Sequence, residues 1–105
     1  MLQCGQFLTY DKQVIRDYHW MDEDDNYGAA LFHAVCNSSR VKCEQQIITK
    51  RINSLIGAEC IISYELKGTL DGQPMVMHID CENKTAWACV TDNAVNFDIF
   101  LAMTR

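Results

Sequence analysis

Three side chains in the C-terminal half could act on one another. Glu65, His78 and Cys89 carry the functional groups of an orienting carboxylate, a base and a thiol nucleophile. They fall in consecutive alternating segments, so an antiparallel ribbon would set them in one cross-strand row with Asn96. Ser63, Asp80, Trp87 and Asp98 would form the next row. A row on a flat sheet offers no cleft, and no helix N-terminus or glycine nest stands ready to stabilise an oxyanion. Thiol catalysis through Cys89 and His78 is therefore the alternative reading, and the chain is expected not to be an enzyme.

The remaining chemistry-bearing residues are less organised. His33 and Cys36 lie three apart on a helical segment, where a buried, satisfied histidine is the simpler account. The three histidines share no spacing that would gather three or four metal ligands, so no metal and no cofactor is expected. The run Asp22-Glu23-Asp24-Asp25 lacks the alternating oxygens and turn glycine of a calcium loop. None of the six cysteines forms Cys-x-x-Cys, which leaves free thiols as the expected state. A glycine-rich phosphate loop is absent.

These groups must be held by one domain. The chain has 105 residues, 49% hydrophobic and 22% charged, which is ordinary globular composition. Roughly 65% of the unfolded surface should be buried at this size, enough for a core without staples. There are 14 acids against 9 bases, a net charge of −5, so nucleic acid is not the expected ligand and a basic protein is. The stretch 40–51 runs against this trend, with Arg40, Lys42, Lys50 and Arg51 against Glu44. No apolar run is long enough to span a membrane, and the start Met1-Leu2-Gln3-Cys4 does not read as a signal peptide. A cytoplasmic location, as a monomer or weak dimer, is the expectation.

The chain reads as helices first and strands last. Val14, Ile15 and Tyr18 sit at helical spacing in 11–20. An almost wholly apolar helix is predicted over 27–36, capped by the acidic run before it and buried on most sides. Val41, Ile48, Ile52 and Leu55 form one stripe of a helix over 40–56, with Gly57 as its left-handed close. From Cys60 the period becomes two, and strands are predicted over 60–69, 75–82, 85–91 and 95–103. Their links are Asp71-Gly72, Asn83-Lys84 and Asp92-Asn93. The predicted fold is α+β, with two to three N-terminal helices on one face of a four-stranded antiparallel meander.

Register then separates two faces. One collects Tyr64, Leu66, Met77, Ile79, Ala86, Ala88, Val95, Phe97, Ile99 and other apolar residues, and needs the helices as cover. The other carries Glu65, His78, Asp80, Trp87 and Asp98 and is predicted to be open to water. An exposed tryptophan among carboxylates suits a protein interface. Its alternative place is under the N-terminal arm or the 11–20 helix. On the open-face reading His78→Ala should be tolerated, whereas Ile79→Asp should unfold the domain. The functional expectation is a small binding protein that neutralises a basic partner. The named candidate is an immunity protein or antitoxin occluding a nuclease toxin, with a phage-encoded antagonist of a host defence protein as its variant. Contact would run through Glu65, His78, Asp80, Trp87, Asp98 and Asp22, Glu23, Asp24 and Asp25.

Overall fold

The computed structural model describes residues 18–21, 26–53, 55–91 and 93–105. Tyr18–His19 (β1) is followed by helix α1, Tyr27–Cys36, and then by five strands. These are β2 (Val41–Asn53), β3 (Ala58–Leu70), β4 (Gln73–Asp80), β5 (Thr85–Val90) and β6 (Asn93–Val95). A short helix, α2 (Phe97–Met103), comes last. All six strands belong to one antiparallel sheet, in the order β1-β5-β4-β3-β2, with β6 also pairing β5. Among the described residues the fold is thus mostly sheet with two short helices, which corrects the predicted helical layer on a four-stranded meander. Most of the helix predicted over 11–20 lies outside the described residues, and its last residues belong to β1 or follow it.

The largest correction is 40–56, where a strand replaces the long helix. Five of the thirteen β2 residues are β-branched (Val41, Ile47, Ile48, Thr49 and Ile52), a bias that favours a pleated surface. The misleading stripe has a definite cause. Val41 and Cys43 pair with Leu70 and Gly68, whereas Gln46 and Ile48 pair with Leu66 and Tyr64. A register shift between Cys43 and Gln45 moves the odd-numbered set before it and the even-numbered set after it onto one face. Val41 and Ile48 therefore share a side seven residues apart, as they would on a helix. Gly68 lies where β2 shifts register: a Cβ there would sit 1.9 Å from the Lys42 carbonyl oxygen. Gly57 does have a positive φ of 66°, but it turns β2 into β3 and closes no helix.

Asp71 and Gly72 close the β3–β4 hairpin, both with positive φ (51° and 84°), the requirement of a two-residue type I′ turn. Leu66 lies opposite Met77 and Glu65 opposite His78. The β4–β5 turn uses four residues, 81–84. The Asp80 carboxylate organises it, accepting from the backbone N–H groups of Glu82 and Asn83 and from the Asn83 amide. This longer turn slides β5 by two residues from the predicted register, so Ile79 meets Ala86. A slide of two preserves the faces.

The predicted strand 95–103 is also corrected. Asn96 accepts from the N–H groups of Asp98 and Ile99 and so caps a helix, which buries Phe97 and Phe100 and leaves Ile99 57% exposed. Helices α1 and α2 supply the cover for the Tyr64, Leu66, Met77, Ile79, Ala86 and Ala88 face. On α1 the buried residues are Gly28, Leu31, Phe32 and Val35, while Ala30, His33 and Ala34 are exposed. The helix is therefore amphipathic in place, not buried on most sides, and His33 is not a core histidine. No helix among the described residues is long and apolar enough to cross a membrane.

Candidate interaction surface and the buried polar row

The face predicted to be open is closed around its central row. Glu65, His78 and Trp87 lie directly opposite one another across β3, β4 and β5. They are 3%, 6% and 1% exposed. His78 Nδ1 stands 3.8 Å from Glu65 Oε1, and the His78 ring stacks on Trp87 at 5.6 Å and 15°. The indole Nε1 is buried with no hydrogen-bond partner among the described residues. Exposure of these three residues to a partner is thereby corrected: Glu65, His78 and Trp87 are interior groups.

The same two-residue slide dissolves the nucleophile row. Cys89 pairs with Val76, not with His78, and is 2% exposed. Asn96 has left the sheet to cap α2. At 3.8 Å the Glu65 carboxylate is beyond hydrogen-bond reach of the imidazole, and the thiol is neither opposite His78 nor open to solvent. Among the described residues no group of three or more His, Cys, Asp or Glu side chains could hold a metal ion. Of the other predicted contact residues, Asp80 is spent on its turn, and Asp98 is exposed in the first turn of α2. Asp22, Glu23, Asp24 and Asp25 lie outside the described residues.

The exposed apolar surface is elsewhere. Pairing between β3 and β4 ends at Ser63 and Asp80, with one more bond from Cys81 N–H to the Ile62 carbonyl. Beyond it β2 and β3 continue as a two-stranded ribbon that projects about 17 Å, given the rise of an extended strand. Its end carries Ile52, Leu55 and Ile56, which are 66%, 92% and 73% exposed. Two ion pairs sit along it: Lys50 with Glu59 at 3.4 Å, and Arg51 with Glu82 at 2.7 Å, the latter tying the ribbon to the β4–β5 turn. The basic stretch is therefore partly neutralised within the chain. The sequence did contain a signal for this arm, since two β-branched runs flank Leu55-Ile56-Gly57. The helical phase of the bulged strand concealed it.

Helix α1 and the arm's root enclose an open pocket that Tyr64, Cys60 and Cys81 help to line. Burial, then the Asp80 and Cys60 charges, pushes the Cys81 thiol up to about 11. No protein-family model matches the chain, and no curated protein or solved structure matches it either.

Proposed function

We propose that this chain is a binding protein that neutralises a basic protein partner, and that it grips that partner with the projecting end of the β2–β3 hairpin. The observation that carries the reading is the exposure of Ile52, Leu55 and Ile56 together on a ribbon outside the core. A two-stranded ribbon has little stability of its own, and exposed apolar clusters on a small domain mark contact surfaces. Burying each such side chain contributes roughly 1.5–3 kcal/mol, enough for three of them to anchor a complex. The net charge of −5 supports a cationic partner, because it speeds the encounter while the apolar tip sets the dwell time. A cationic nuclease toxin, held off its phosphate substrate, is the narrower form of this proposal.

The test is a Leu55→Asp, Ile56→Asp double variant, compared with wild type in binding the partner that wild type captures. Both side chains are largely in water, so the fold and melting temperature should not change. Affinity should fall by at least tenfold, since that loss requires only about 1.4 kcal/mol. Raising the salt should slow wild-type association. Equal affinity of both proteins for the captured partner would remove the arm from the contact.

A further inference from the structure

A second chemical feature lies at the opposite end of β2. The Gln46 side-chain amide donates to Cys43 Sγ at 3.3 Å and to Cys36 Sγ at 3.9 Å. The two sulfurs can be no farther apart than those two distances laid end to end. Cys36 ends α1 and Cys43 precedes the β2 register shift, with the corner 37–40 between them.

That corner is held from several sides. Ser38 Oγ donates to the Thr104 carbonyl, and Val41 N–H to the Ser38 carbonyl at 3.2 Å. Asp71 N–H donates to the Arg40 carbonyl at 2.9 Å, and the Arg40 guanidinium grips the Asp71 carboxylate. Two half-buried thiols are thus fixed on one amide by a short, braced connection. Such an arrangement favours reaction within the pair over reaction with a second small molecule.

We propose that Cys36 and Cys43 are a paired-thiol modification site that closes to an intramolecular disulfide on meeting a low-molecular-weight disulfide. The Cys43 thiolate attacks one sulfur of the small disulfide, whose S–S bond breaks and whose other half leaves as a thiolate. Cys36 then loses its proton and attacks the Cys43 sulfur, and the second small thiolate leaves. Two protein thiols are oxidised, and one small disulfide is reduced to two thiols. Burial and the nearby Cys43 push the Cys36 thiol up to about 11, so closure, which needs the Cys36 thiolate, speeds up with pH.

The test uses oxidised glutathione on the folded full chain, followed by alkylation and peptide mapping without reduction. The expected product links the Cys36 and Cys43 peptides. In Cys36→Ser the glutathione adduct on Cys43 should persist on the order of tenfold longer than in wild type, because the resolving thiol is gone. Cys43→Ser should leave Cys36 reduced at neutral pH. An equally persistent adduct in wild type, or a link that joins Cys36 or Cys43 to any other cysteine, would overturn the assignment.

Discussion

Gly68→Ala puts one methyl group where β2 shifts its register. Its carbon would lie 1.9 Å from the Lys42 carbonyl oxygen, 3.0 Å from that carbonyl carbon and 3.2 Å from Cys43 Cα. All three neighbours are backbone, so no flexible side chain can yield, and β2 must retreat by about 1 Å to reach 3.0 Å. Overpacking of this kind costs about 1–3 kcal/mol. One or two ladder hydrogen bonds between β2 and β3 would be weakened, at about 1 kcal/mol each. Against this, replacing glycine restricts the unfolded chain and returns about 0.4–1 kcal/mol. The net loss is about 1–4.6 kcal/mol, a large share of a small domain's roughly 5–15 kcal/mol. In urea that is a midpoint lower by about 0.5–2.3 M for a slope of about 2 kcal/mol/M. The assay is denaturation followed by the fluorescence of Trp20 and Trp87, both buried in the fold. A Gly68→Ala midpoint equal to or above that of wild type would refute the close approach of the two backbones at the register shift.

Other outcomes follow from the same geometry. His78→Ala should cost about 1–3 kcal/mol, because it removes a buried ring from the Trp87 stack; a solvent-face histidine would move stability by less than about 0.5 kcal/mol in the same denaturation experiment. Ile79→Asp should prevent folding, read as loss of tertiary circular dichroism, because Ile79 is 0% exposed and burying a carboxylate among apolar side chains is costly. Asn96→Ala removes the acceptor of two α2 N–H groups and should cost about 0.5–2 kcal/mol, seen as a lower melting temperature. Burial, and then the hydrogen bond to Tyr27 at 3.0 Å, raises Tyr18 from 10.0 to about 12. The neutral phenol is the form the fold favours, so its contribution is complete below pH 10 and is lost as pH rises towards 12. Tyr27→Phe should lower the Tyr18 midpoint in a tyrosinate absorbance titration, and an unchanged midpoint would contradict the pairing.

Local pattern was enough wherever a residue's own chemistry dictated its conformation. Asp71-Gly72 can turn left-handed at both positions, so the β3–β4 hairpin and the Glu65–His78 pairing follow from neighbouring residues alone. The apolar face survived two turn errors, one of length at 81–84 and one of position at 91–92, because each slid its strand by two residues, and parity is the only thing a face records. Asn96 and Asp98 were a readable helix start, obscured because Val95, Phe97, Ile99 and Leu101 also alternate. The candidate site was less legible. Which residue stands beside His78 depends on turn length, and a turn of four residues in place of two exchanges Cys89 for Trp87.

Charge, size and the two alternating faces are properties of the chain as written, since composition and a period of two need no distant contact. The strand at 41–53 and the burial of Glu65, His78 and Trp87 were decided by tertiary structure. A bulge mimics helical phase until a partner strand reveals it. Whether a polar face meets water depends on what packs over it, which no local pattern encodes.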